Sequence, residues 1–372
     1  MTSGQEREAQ SPVLYPRVPR SCFWEITWAC NLRCIHCEAS AGDAAADELD
    51  TDEALGVATQ LADLGCHEVM LTGGEPLVRP DWAVIAEQLI RLGLKVVVIS
   101  NGMRLGRQVI DRMVSMGVKG VSLSLDGDRT VHDRIRLPAH GSASSYDAAL
   151  TAIRLAVASP LRTAVITQVH RGNIDDLARM YDELASLGVD LWQVQICMPL
   201  GRLLEHREQY LIPPEQIVTL QERLAGLIRD GRLRIAVADN IGYYGRHEPL
   251  LRGSVMGVES FWAGCIAGCQ VLGICPNGDV KGCPSHPREF VVGNLRQTPL
   301  ATIWRETERF AYNTRWDARL LEGHCRTCPL NWLCRAGCTS MAYAVTGTIY
   351  DNPYCLRRFL ATPLPRQTGD VP

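Results

Sequence analysis

Residues 67–102, HEVMLTGGEPLVRPDWAVIAEQLIRLGLKVVVISNG, decide the fold. The stretch opens on a short apolar run, HEVMLTGG, and closes on another, LKVVVISNG. Runs of this length, rich in Val, Leu and Ile, read as strands of a parallel sheet. Between them DWAVIAEQLIRLG spaces its apolar residues as an amphipathic helix does and ends on glycine, which suits a left-handed C-terminal cap. Strand, helix, strand in that order is a βαβ unit.

The same alternation continues on both sides. Upstream, SCFWEITWA reads as a strand and TDEALGVATQLADLG as a helix capped by Asp50 or Thr51. Downstream, RQVIDRMVSMG, SYDAALTAIRLAVA and IDDLARMYDELASLG read as helices, and VKGVSLSLDG, RTAVITQVH and DLWQVQI as strands. Six such repeats, with Gly65, Gly93, Gly117 and Gly188 at helix ends, predict an α/β fold: a partial (β/α)6 TIM-like barrel over residues 21–240, after a flexible polar lead-in at 1–20. A helix near 213–229 and a strand in RLRIAVAD form a bridge. Beyond about residue 260 the chain turns rich in Cys, Gly and Pro, so residues 241–372 read as the bridge and a small Cys-rich domain held by metal rather than by a large core.

Composition excludes several classes. A formal charge of −3 over 372 residues offers no basic field for nucleic acid. No run of about 18 apolar residues suggests a membrane span, and the N-terminus lacks the apolar core of a signal peptide. A cytoplasmic protein is expected. There are fifteen cysteines, an odd number, and a reducing compartment favours ligation or catalysis over disulfides. Three cluster at 30–37 and nine lie between 265 and 355, while Cys22, Cys66 and Cys197 read as small buried apolar residues.

In parallel α/β folds, chemistry gathers on loops after the strands' C-terminal ends. CNLRCIHC (30–37), TGGEP (72–76), SNG (100–102) and SLDGD (124–128) all fall there. Cys30, Cys34 and Cys37 stop one short of the four ligands of a closed zinc or iron–sulfur site. Three thiolates can hold three irons of a [4Fe–4S] cube and leave the fourth open. A catalytic zinc with a water as fourth ligand is the rival, and His36 is cramped as a ligand beside Cys37. In the C-terminal part, Cys265-x12-Gly278-x4-Cys283 precedes Cys325-x2-Cys328-x5-Cys334-x3-Cys338-x16-Cys355. A zinc ribbon is the rival there. Asp128, His132, Tyr243, Tyr244 and His286 are candidate general bases, and Gln195 and Arg202, around the end of the sixth strand, are candidate pocket-lining residues.

The Cys30-Cys34-Cys37 loop after strand one, followed by Gly73-Gly74-Glu75-Pro76 after strand two, resembles the radical S-adenosylmethionine (SAM) superfamily over about residues 22–200. The seven later cysteines resemble the SPASM extension of radical SAM maturases. The resemblance implies three [4Fe–4S] clusters, one binding SAM and two auxiliary, with flavodoxin or ferredoxin as reductant. It implies that Gly73, Gly74, Glu75 and Pro76 receive the SAM amino group. It gives Ser124 and Asp126 a SAM ribose or carboxylate role, and Arg136 a place near that carboxylate, with Asn101 on the same rim. Cys325, Cys328, Cys334 and Cys355 would bind the second auxiliary cluster. Cys265, Cys283 and Cys338 would bind the first, completed by Cys269 or Cys275. Cys269 is preferred, because Cys275 lies in a hairpin around Asn277-Gly278 and reads as a buried strand thiol.

The activity this implies is reductive SAM cleavage to a 5′-deoxyadenosyl radical, then hydrogen abstraction from a ribosomally made peptide to give an oxidised or cross-linked side chain. Sulfatase maturases carry an acidic base after the cysteine matching Cys283, and Pro284 stands there instead. Only about twenty residues precede strand one, so a separate leader-peptide recognition protein is an expected partner. A small-molecule oxidase or decarboxylase acting on haem-precursor side chains is the alternative, with a non-catalytic iron–sulfur electron-transfer protein as a third reading.

Overall fold

A computed structural model describes residues 17–360. Residues 1–16, most of the expected lead-in, lie outside the described residues.

The six repeats form as their patterns require. Strands β1 (Ser21–Glu25), β2 (Glu68–Thr72), β3 (Lys95–Ser100), β4 (Gly120–Ser124), β5 (Arg162–Val169) and β6 (Leu191–Ile196) stand side by side in chain order, all parallel. Between them run helices α1 (Thr51–Asp63), α2 (Trp82–Arg91), α3 (Arg107–Met116), α4 (Arg129–Ile135), α5 (Ser145–Val157) and α6 (Leu177–Leu187). Helix α1 starts at Thr51 because Asp50 caps it. The Asp50 carboxylate accepts from the Glu53 N–H at 2.8 Å, and the Glu53 carboxylate accepts from the Asp50 N–H at 3.0 Å. Gly117 and Gly188 close α3 and α6 at φ of 89° and 78°, where a side chain would be strained.

Helix α7 (Leu203–Tyr210) was not foreseen, whereas α8 (Gln216–Asp230) and the short strand β7 (Ile235–Val237) are the expected bridge. β7 adds to β6 in parallel. The Cys-rich part extends the other flank. β8 (Val271–Ile274) pairs in parallel with β1, then β9 (Asp279–Lys281) and β10 (Gly293–Asn294) follow antiparallel. The whole is one ten-stranded sheet in the order β10-β9-β8-β1-β2-β3-β4-β5-β6-β7. The sheet therefore runs across the 240/241 boundary read from the sequence.

The two faces of the sheet differ. On one, Trp24, Leu71, Val98, Leu123, Val165 and Trp192 are no more than 1 % exposed and belong to the main core. At alternate positions Phe23, Val97, Ile99, Ser122, Ser124, Gln168, Gln193 and Gln195 are only half-buried. This is the period-2 alternation of strands covered on one side and open on the other. The open face becomes polar toward the strands' C-terminal ends, where the distinctive loops lie.

Candidate active site at the rim of the sheet

The loop after β1 is held on every side. The Thr27 hydroxyl and the Trp28 N–H donate to Glu48 at 2.9 and 2.7 Å. The N–H groups of Arg33 and Ile35 donate to the carbonyls of Leu137, just past α4, and Ile135, its last residue. From beyond β6, the Arg202 guanidinium donates to the carbonyls of Cys34 (2.8 Å) and Ala41 (2.7 Å), and its N–H to that of Cys37. Arg202 thus clamps this loop from beyond β6. Burial pushes the Cys30 thiol up to about 11 and Cys34 to about 12, against the pull of Arg136. The Leu32 and Ala41 N–H groups point at the sulfurs of Cys30 and Cys37, each at 3.4 Å. Buried soft donors of this kind ionise on binding a metal centre.

The second loop packs directly on the first. Gly74 N–H donates to the Thr27 carbonyl at 2.7 Å, and Glu75 N–H to that of Ala29 at 2.8 Å. A Cβ on Gly74 would lie 2.3 Å from the Ala29 oxygen, and one on Gly73 2.4 Å from that of Thr27. The glycines are therefore required by the neighbouring loop, and among the described residues nothing donates to the Gly73 and Gly74 carbonyls. Pro76 is buried and opens a single 3-10 turn. Glu75 is completely buried and braces the loops. It accepts from the Ser100 hydroxyl (2.9 Å) and from the N–H groups of Asn101 (2.7 Å) and Leu77 (3.2 Å). Three of its acceptor positions are thus taken by protein donors. Burial pushes its carboxyl up to about 7. Asn101 reaches back, donating to Asn31 at 2.8 Å and lying 3.9 Å from the Cys30 sulfur.

Asp126 is likewise held by protein donors. It is fully buried, and its carboxylate accepts from Arg136 Nε (2.6 Å), His36 Nε2 (3.0 Å) and the Gln168 N–H (2.9 Å). Burial alone would raise this carboxyl, but Arg136 and His36 hold it well below the usual carboxylate range. Its own N–H donates to His132 Nδ1 at 3.1 Å. Burial lowers His132 and His170 to about 4, so both are neutral near pH 7. Around this centre His36 Nδ1, His132 Nε2, His170 Nε2 and Gln168 Oε1 are buried without a partner among the described residues. Unpaired polar atoms in such number call for water or a ligand. Ser124 ends β4 half-buried on the open face, as does Gln195 on β6, where Gln195 accepts from Gln193 at 2.9 Å.

The later cysteines form two groups. Cys325, Cys328, Cys334 and Cys355 line one small cavity with Tyr244 and His324. In the other, Cys265 bears electrostatically on Cys269, Cys283 and Cys338. Cys275 stands apart, between Glu25 and Lys281. The structure thus sets Cys269, and not Cys275, beside Cys265. Among the described residues no three His, Cys, Asp or Glu side chains converge tightly enough to share one metal ion. A cube takes each thiolate on a different iron.

The candidate bases are occupied or sequestered. Asp128 caps α4 through the Val131 N–H. His132 and Tyr243 are wholly buried. The Tyr243 hydroxyl donates to the Asp239 carbonyl at 2.7 Å and accepts from the Cys338 N–H at 2.6 Å. Tyr244 donates to the Trp262 carbonyl, and His286 is 1 % exposed. Sequence reasoning missed Glu25, Glu38, Asp239 and Lys281. Burial pushes the carboxyl of Glu38, next to Cys37, up to about 7, against the pull of Ser285 and Lys281. Lys281 donates to the carbonyls of Pro284 (2.8 Å) and His286 (2.9 Å) and lies 3.9 Å from Glu25. Adjacency to Cys37 and Cys283 was the one available signal for Glu38 and Lys281.

Two family models match this chain. Residues 24–184 match the radical SAM superfamily, and residues 265–329 the SPASM iron–sulfur cluster-binding domain. The chain is a radical SAM protein with a C-terminal SPASM domain. It is 29% identical to an AdoMet-dependent heme synthase of Methanosarcina barkeri, over 91% of this chain and 97% of that protein. It is also 29% identical to a PqqA peptide cyclase of Streptomyces rochei, over 91% and 89%. The fold is that of Streptococcus suis SuiB, solved bound to its precursor peptide SuiA, at a TM-score of 0.69 and 15% identity over 91% of this chain and 76% of that one. No helix among the described residues is long and apolar enough to cross a membrane.

Proposed function

We propose that this protein is a maturase that oxidises or cross-links a side chain of a ribosomally made peptide. Cys30, Cys34 and Cys37 hold a [4Fe–4S] cluster, and the two later cysteine groups hold auxiliary ones. With SAM bound, such a cluster, reduced by one electron from flavodoxin or ferredoxin, would supply reductive cleavage of SAM to methionine and a 5′-deoxyadenosyl radical able to take a hydrogen atom from the substrate. The protein's part is placement. The Gly73 and Gly74 carbonyls accept the SAM ammonium. Arg136, fixed by Asp126, lies on the carboxylate side, and Ser124 and Gln195 face the open end of the sheet.

The observation that carries this reading is the parallel pairing of β8 with β1, together with the Lys281–Glu25 ion pair at 3.9 Å. These bring the strand that leads into the Cys30 loop beside the segment that leads to Cys283, so a substrate at the rim lies between the radical source and the first auxiliary group. That group can take the electron released when a substrate radical closes to an oxidised product. Lys281 is matched by Glu25 and two carbonyls and Arg136 by Asp126, so neither is left unpaired for a substrate carboxylate. The haem-precursor reading nevertheless has its own support in the M. barkeri relative.

The test is a competition. The reconstituted enzyme, with SAM and reduced flavodoxin, is given a short peptide encoded beside its gene, or an iron porphyrin bearing propionates. Loss of hydrogen mass from the peptide supports the proposal. Release of carbon dioxide from the porphyrin, with the peptide untouched, replaces it with the second reading.

A further inference from the structure

Tyr312 carries a buried hydroxyl that no described residue satisfies. Its ring is fixed on three sides, by His286 (centroids 5.1 Å apart), Phe290 (5.4 Å) and Phe310 (6.4 Å). The next residue is locked as well, since Asn313 Nδ2 donates to the Ala267 carbonyl at 2.7 Å. The hydroxyl therefore cannot swing to water. It is delivered into the gap between two ligand-bearing segments. A Cβ on Gly282 would lie 1.9 Å from it and 2.8 Å from the Gly268 nitrogen, and the Gly268 N–H donates to the Gly282 carbonyl at 3.1 Å. Gly282 precedes Cys283, and Gly268 precedes Cys269. Three cysteine charges bear on the hydroxyl, those of Cys265, Cys283 and Cys269.

A buried O–H without a partner is costly, and each such case requires an explanation. We propose that the Tyr312 hydroxyl donates a hydrogen bond to a sulfur of the iron–sulfur group held by Cys265, Cys269, Cys283 and Cys338, and thereby sets its reduction potential. This rests on the auxiliary-cluster reading above. A hydrogen bond to a cluster sulfur stabilises the more negative, reduced state and raises the potential. Tyr312 is thus a positioning residue for electron flow, and it makes this cluster a better acceptor for the electron leaving the substrate.

The experiment uses the full chain, reconstituted anaerobically, with iron and sulfide counted first. About twelve irons per chain establish three cubes, whereas about four overturn the auxiliary-cluster reading itself, and this inference with it. Tyr312→Phe keeps the ring packing and removes only the hydroxyl. The expected result is unchanged iron, unchanged 5′-deoxyadenosine formation without substrate, and a lower midpoint potential for one auxiliary cluster in an electron paramagnetic resonance titration. Pulsed resonance of the parent in deuterated buffer is expected to show an exchangeable proton coupled to that cluster and absent from the variant. An unshifted potential, or no such proton in the parent, overturns the inference. Loss of about four irons in the variant overturns it too, since the hydroxyl would then be a ligand or a folding group.

Discussion

Substituting Gly74 by alanine tests how the rim is built. Gly74 does not occupy the left-handed region, so alanine meets no backbone penalty there. What it meets is the loop of the three cysteines. The new methyl carbon would lie 2.3 Å from the Ala29 oxygen, 2.6 Å from that of Trp28 and 2.7 Å from the Ala29 carbonyl carbon. All three are backbone atoms, and no rotamer change relieves the clash. Restoring ordinary contact moves the loops apart by about 1 Å. That breaks the Gly74–Thr27 and Glu75–Ala29 hydrogen bonds at 2.7 and 2.8 Å. Two such bonds are worth about 1 kcal/mol each, and overpacking adds roughly 1–3 kcal/mol. The expected loss is about 3–5 kcal/mol, read as a lower urea midpoint at unchanged slope, together with loss of 5′-deoxyadenosine formation. Gly56→Ala is the control. That glycine is exposed within α1 with nothing within 4 Å of the added carbon, so the change gains roughly 0.5–1 kcal/mol. A Gly74→Ala protein with the parent's midpoint and full SAM cleavage would refute the packing argument.

Replacing Cys30, Cys34 and Cys37 together by alanine is expected to abolish SAM cleavage while leaving the auxiliary iron in place. Cleavage that survives removes the assignment. Cys269→Ala is expected to lower the iron content by about one cube and Cys275→Ala to leave it unchanged, and the reverse pattern exchanges their roles. Asp126→Asn leaves Arg136 buried without its counter-charge, a loss of about 3–5 kcal/mol. The folded Asp126 carboxyl lies below its unfolded value of about 3.9, so its contribution is complete above that pH and fades as pH falls through the folded value. Urea midpoints measured across the acid range should slope more steeply for the parent than for the variant, and equal slopes contradict the pairing.

Much of this was legible in the sequence because it is local. The strand and helix of HEVMLTGGEPLVRPDWAVIAEQLIRLG follow from period and caps alone, as does the Asp50–Glu53 box. The hairpin at Asn277-Gly278 also formed as read, with Gly278 at φ 87°. Helix α7 was missed because LLEHREQY presents no apolar stripe. The protein contacts of Glu75, Asp126 and Arg202 were hidden for another reason. Their partners lie 26, 42 and 168 positions away, beyond the reach of any local pattern. The parallel pairing of β8 with β1 was hidden likewise, because β9 alone satisfies the hairpin and nothing in VLGI names Ser21–Trp24 as its other neighbour.

That pairing limits how this protein can be cut and recombined. A truncation after β7 would strip β1 of the neighbour running from Val271 to Ile274 and leave its N–H and C=O groups as a raw edge beside the three-cysteine loop. Unprotected edges recruit other strands, so such a fragment is a candidate for aggregation rather than a minimal enzyme. A chimaera that exchanges the cysteine-rich segment should keep the β8–β10 ribbon with the recipient's β1 and place its joint after Asn294. The transplantable unit is smaller than the change in composition suggests.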